Sequence, residues 1–81
     1  MNYYKNYQLD SLTEFDLSQA DMNLLDACIW MVDNHATIRC TASNCGFTRS
    51  TLHRLIHTRL KHLSFELYQC VMRVINNNLH H

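Results

Sequence analysis

The sequence predicts an all-α fold: a small helical domain with a helix-turn-helix, about four helices in all. Three observations carry this. The chain has no proline and one glycine in 81 residues, so nothing within it breaks helices and few turns are built on flexible backbone. Apolar residues recur at spacings of three and four along most of its length. The single glycine, Gly46, falls between two short amphipathic segments, each opened by a threonine.

Length and composition bound the answer. Eighty-one residues make one small domain with a modest core. A hydrophobic fraction of 47% argues for folding rather than disorder. The most apolar run, Leu24 to Val32, is too short to cross a membrane and contains Asp26. The polar, tyrosine-rich start is unlike a signal peptide. These features predict a cytoplasmic protein with no membrane partner, and Cys28, Cys40, Cys45 and Cys70 as free thiols.

The elements follow in order. Residues 1–17 show no clean period, and the expectation is an irregular arm that packs through Tyr3, Tyr4, Tyr7, Leu9, Leu12, Phe15 and Leu17. Residues 18–79 form the domain. Ser18, with Asp21 three residues on, opens the first helix. Its stripe is Leu25, Cys28, Ile29 and Val32, widened by Trp30 and Met31, and Asp33-Asn34-His35 ends it. Thr37 caps a second helix whose inner face is Ile38, Thr41, Ala42 and Cys45. Gly46 ends that helix in the left-handed conformation, which a side chain would strain, and Phe47 turns into the core. Thr48 caps the third helix, about 48–61, with Leu52, Leu55, Ile56 and Leu60 buried and Ser50, His53, Arg54 and His57 opposite. Ser64 caps the last helix, about 64–78, with Glu66 in its first turn. Its expected core stripe is Tyr68, Val71, Met72 and Ile75, and Asn76-Asn77-Asn78 should fray. Trp30, Met31, Tyr68 and Met72 are expected in the core, and so are Cys28, Cys40 and Cys70.

A zero net charge conceals a division. Residues 1–33 carry one lysine and six acids, or −5; residues 34–81 carry Arg39, Arg49, Arg54, Arg59, Lys61 and Arg73 against Glu66, or +5. A basic segment of this kind suits a polyanion, though two halves attracting each other would also account for it. The helix-turn-helix decides in favour of double-stranded DNA. Its sharp turn brings the start of the third helix out of the domain, where Thr48, Arg49, Ser50, Thr51, His53, Arg54 and His57, with Arg39 nearby, suit a major groove. Arg49 and Arg54 can meet phosphates or guanine edges, Ser50 and His53 can bond base edges, and Thr48, Thr51 and the helix-start N–H groups can hold phosphate. With about four to six phosphate contacts, log affinity should fall against log salt with a slope of roughly −4 to −5.

The run from Thr37 to Leu60, TIRCTASNCGFTRSTLHRLIHTRL, resembles the helix-turn-helix of the stage III sporulation protein D family of bacterial transcription regulators. Thr37, Ile38, Arg39, Ala42, Gly46, Phe47, Thr48, Arg49, Ser50, Thr51, Leu52, His53 and Arg54 follow the family pattern without a gap, as does the Arg59-Leu60 pair. The resemblance implies a site-specific, monomeric DNA-binding regulator that reads the major groove with its third helix and works beside RNA polymerase. It also implies a basic C-terminal segment on the DNA, where this sequence has His80-His81 instead of an Arg/Gly-rich tail. Thr41 and Cys45 replace an apolar and an aromatic residue of the pattern.

Other chemistries fit less well. His53 and His57 have a chelating spacing, but no C-x-x-C pair accompanies them, so no metal and no cofactor is expected. No Ser-His-Asp spacing, phosphate loop or carboxylate pair supports catalysis, so the protein is not expected to be an enzyme. Two alternatives remain open. One is a protein-interaction module whose acidic arm folds over a degenerate helix-turn-helix. The other is the detached DNA-binding domain of a recombinase or transposase. No heptad asks for a dimer, and a monomer is the expectation.

Overall fold

The computed structural model describes residues 3–10 and 16–79. Leu12, Glu14, Phe15, His80 and His81 lie outside the described residues, as does the packing expected of Leu12 and Phe15. In chain order the elements are β1 (Tyr3–Tyr4), β2 (Tyr7–Gln8), α1 (Gln19–Asn34), α2 (Ile38–Cys45) and α3 (Arg49–Leu55). A π-helical turn (Ile56–Leu60), α4 (Lys61–Leu63) and α5 (Phe65–Leu79) follow. Backbone angles stay right-handed α through Leu55, Ile56, Leu60 and Lys61, so α3, the π turn and α4 form one rod. The described residues thus make an all-α domain of four helical bodies, with a small hairpin against it.

Each helix begins where its capping residue sits. The Ser18 hydroxyl accepts from Asp21 N–H at 3.1 Å, and that of Thr37 from Cys40 N–H at 3.1 Å. Thr48 accepts from Thr51 N–H at 3.3 Å. Buried Ser64 does two jobs: its hydroxyl accepts from Leu67 N–H at 3.2 Å and donates to the Gln8 carbonyl at 2.6 Å. Two helices end in left-handed residues, His35 (φ 50) and Gly46 (φ 80). At both, the following residue donates back to a carbonyl of the last turn: Ala36 to Met31 at 3.0 Å and Phe47 to Ala42 at 2.9 Å.

The core is one cluster, led by Leu24, Leu25, Cys28 and Met31 of α1, Ala42 of α2, Leu52, Ile56, Leu60 and Leu63 of the rod, and Leu67 and Val71 of α5. Thr41, polar where the family pattern is apolar, is fully buried because its hydroxyl donates to the Thr37 carbonyl at 2.8 Å. Among the described residues no buried side-chain polar atom lacks a partner.

Several expectations need correction. The buried face of α5 is Leu67, Val71 and Val74; Tyr68, Met72 and Ile75 are only half-buried, on a flank about one residue round. Both sets recur at three and four, so periodicity alone could not choose between them. Asn76-Asn77-Asn78 does not fray. The helix runs to Leu79, and the Asn78 amide donates to the Ala36 carbonyl at 3.1 Å. Trp30 is half-buried and outside the core cluster, whereas Met31 is fully buried. Cys28 is buried, Cys40 exposed and Cys70 half-buried; Cys40 faces away from the Ile38, Thr41 and Ala42 side of α2.

The start of the arm is ordered rather than irregular. Tyr3 pairs with Gln8 and Tyr4 with Tyr7 across a two-residue turn in which Lys5 (φ 47) and Asn6 (φ 77) are both left-handed. Leu9 and Leu17 then enter the core. The Tyr4 hydroxyl and the Lys5 ammonium donate to Asp26 of α1 at 2.6 and 2.9 Å. Asp10 ties the arm to the α4–α5 junction: its N–H donates to the Leu63 carbonyl at 2.8 Å and its carboxylate accepts from Phe65 N–H at 2.8 Å.

Candidate nucleic-acid interface

Gly46 positions the site. The left-handed residue folds α2 against α3, with buried Ala42 at their approach and half-buried Phe47 sealing the turn onto the core. An added Cβ at Gly46 would meet nothing within 4 Å, so the demand for glycine comes from the backbone angle and not from crowding. The start of α3 is left projecting, with Thr48, Arg49, Ser50, His53 and Arg54 exposed.

Arg39, Arg49, Ser50 and His53 line one shallow groove of about 650 Å³. Arg39 comes from the first turn of α2 and the other three from α3. Apolar Ile38 and Ile75 share its wall, and the end of α5 closes one side with Asn78 and Leu79. The remaining predicted site residues lie off this groove. Arg54 is exposed on a neighbouring ridge of α3. The Thr48 hydroxyl donates to that of Thr51 at 2.8 Å, which ties the two side chains at the cap. His57 is half-buried, its ring centroid 4.5 Å from that of His53 and 6.3 Å from Tyr68 of α5. The part sequence reasoning missed is the α5 end, since no local spacing tells which element closes a groove in space.

The electrostatics separate free cations from occupied ones. Arg59 is held by Asp21 through two hydrogen bonds, Nε to Oδ1 at 2.9 Å and the second nitrogen to Oδ2 at 2.8 Å. The hydrogen bonds from Arg59 hold the Asp21 carboxyl below the usual range, against the opposing push of burial. At Asp26 burial pushes upward, but the Tyr4 hydroxyl and Lys5 ammonium outweigh it and leave the carboxyl lowered. Among the described residues, Arg39, Arg49, Arg54 and Arg73 have no carboxylate partner. Asp21–Arg59 is an ion pair between the −5 and +5 halves, and the arginines at the groove, Arg39 and Arg49, have no carboxylate partner among the described residues.

The described residues of the arm do not line the groove; they bond Asp26, Leu63, Ser64, Phe65 and Glu66. Among the described residues no group of three or more His, Cys, Asp or Glu is placed to hold a metal ion. No helix there is long and apolar enough to cross a membrane. Burial pushes the Cys28 thiol up to about 12, which makes it a core residue rather than a nucleophile.

The family model for stage III sporulation protein D matches residues 20–81, spanning both helices of the motif, the whole rod and α5. The chain belongs to the stage III sporulation protein D family. This is a family of sporulation-related, DNA-binding transcription regulators and not of enzymes. No curated protein and no solved structure matches the chain. The stage III sporulation protein D match begins at Ala20, so the hairpin and Asp10, which brace the α4–α5 junction, precede the matched region.

Proposed function

We propose that the protein is a sequence-specific, double-stranded-DNA-binding transcription regulator that reads the major groove with α3. The observation that carries this is the groove face of Arg39, Arg49, Ser50 and His53, with both guanidiniums unpaired, at the projecting end of a helix-turn-helix. Arg49 has the reach and fork geometry for a guanine edge, and Ser50 and His53 bond the adjacent base edges. Arg39 and Arg54 flank them and meet phosphates, which fixes register. No enzyme chemistry and no cofactor is needed. The protein acts in the cytoplasm on the nucleoid, as a monomer, with RNA polymerase as its neighbour at promoters.

The test is a fluorescence-anisotropy titration against random-sequence duplex at low salt, followed by selection of the preferred site. Arg49→Ala should weaken binding to the selected site by about 1–3 kcal/mol, leave melting nearly unchanged, and relax preference at one base pair. Equal losses of stability and binding would count against the reading. So would a folded wild-type chain that ignores duplex.

A further inference from the structure

Beyond the groove, a second row of donors runs along the rod. His53, His57 and Lys61 follow one another at four-residue steps, and the first two rings stand 4.5 Å apart. Tyr68 of α5 meets the end of the row. Its ring lies edge-on to His57 at 6.3 Å, and the Lys61 ammonium sits over its face at 5.9 Å. Phe65, 47% exposed, stacks on Tyr68 at 5.9 Å and 29°. The hydroxyl of Tyr68 and the ammonium of Lys61 have no hydrogen-bond or carboxylate partner among the described residues.

The π turn makes this row possible. It closes one residue later than an α turn, so everything after it is turned by roughly 100° relative to an unbroken helix. Arg59, inside the turn, meets Asp21, and Lys61, the first residue after it, is delivered to Tyr68. Length sets what the row can touch. Twelve residues separate Arg49 from Lys61, about 18 Å along a helix, whereas a major groove is about 12 Å wide. With the Arg49 end seated in the groove, the Lys61 end reaches past it to the bounding phosphates.

We infer that Lys61 and Tyr68, positioned by His57 and Phe65, form a second anchor that grips a backbone phosphate at the edge of the groove read by α3. The inference rests on the DNA-binding reading above. Lys61 supplies the charge and Tyr68 a neutral O–H donor held by its ring neighbours. The anchor carries no sequence information; it fixes the angle at which the rod enters the groove.

The experiment is the anisotropy titration repeated across a salt series, on the selected site and on random duplex. Lys61→Ala should reduce the magnitude of the slope of log affinity against log salt by about one. That corresponds to about an eightfold loss at 0.1 M salt, alike for both duplexes. Tyr68→Phe keeps the ring contacts and removes only the hydroxyl, so it should cost about two- to tenfold with the slope unchanged. Arg73→Ala, which deletes an equal charge on another face of α5, should leave affinity and slope as they are. Unchanged binding by Lys61→Ala while Arg49→Ala still loses the site would overturn the anchor and spare the reading of α3. An equal effect of Arg73→Ala would overturn it too, because net charge would then explain the loss. Failure of the wild type to bind any duplex would sink both.

Discussion

At the scale of single residues, the Asp21–Arg59 pair decides how the rod is held. Asp21 is 8% exposed and sits one turn inside the Ser18 cap of α1, while Arg59 lies in the π turn of the rod. Both oxygens of Asp21 are taken by the guanidinium, a two-point contact that fixes orientation as well as distance. Water reaches the Arg59 side, so the pair is worth on the order of 1 kcal/mol, the upper end for partly exposed bridges. The sign of its pH dependence follows from the lowered Asp21 carboxyl. A group whose folded pKa is depressed stabilises above its unfolded pKa, about 3.9 for aspartate, and loses that contribution as pH falls through the lower folded value. Asp21→Asn should therefore melt below the wild type at neutral pH, and the gap should close as pH drops below about 4. Thermal melts of the two proteins across that range check it, and a gap that stayed constant would show that the ion pair is not its source. A second residue with a single-handed role is Gly46, whose backbone angle and empty surroundings leave conformation as the whole reason for a glycine.

At the scale of elements, the least legible piece of the sequence braces the junction between α4 and α5. The break between α4 and α5 is held from outside by Asp10, which accepts Phe65 N–H and donates to Leu63, and by the Gln8 carbonyl on the buried Ser64 hydroxyl. Asp10→Ala removes a carboxylate from the first turn of a helix, a change that costs about 1 kcal/mol in comparable caps. It should lower the melting temperature by several degrees and leave the affinity for duplex DNA within about twofold, because the arm's described residues lie off the groove. If the variant bound DNA more tightly than the wild type, the arm would be a mask and the brace reading would fall. The contrast in legibility has physical causes. Helices α1, α2 and α3 announce themselves because each has a Ser or Thr cap, and α1 and α2 a local stop as well, features written within a few residues. The groove residues Arg39, Arg49, Ser50 and His53 were readable from the same local signals. The hairpin was not, because Lys5-Asn6 lacks the glycine that usually marks such a turn. The π turn was not, because its run Ile56 to Leu60 has no marker and Leu60 fits an ordinary stripe. Nor was the rotation of α5, whose apolar arc is wide enough that only its neighbours fix which part is buried.

At the scale of the whole molecule, charge is placed to orient the chain on a polyanion. Two of the three acids of α1, Asp26 and Asp33, share a side with Trp30, whereas Met31, on another side of the same helix, reaches the groove that holds Arg39 and Arg49. A molecule with zero formal charge gains little from non-specific attraction and approaches DNA productively only with its basic face forward. Counting the cations that remain free on that face sharpens the expected salt response. Arg59 is occupied by Asp21, and Arg73 lies on another face of α5 from Tyr68, which leaves Arg39, Arg49, Arg54 and Lys61. With Arg49 on a guanine edge, the three phosphate contacts of Arg39, Arg54 and Lys61 release counterions with a slope of roughly −2.7 in log affinity against log salt, below the range that the sequence count alone gives. A titration of the wild type between about 50 and 200 mM salt should then weaken binding by roughly 40-fold. A slope near −5 would mean that further basic groups reach the DNA, Arg73 or Arg59 released from Asp21 among them. A slope near −2 would leave the phosphate contacts to only about two cations and shift the weight of binding to the base-edge contacts of Ser50 and His53.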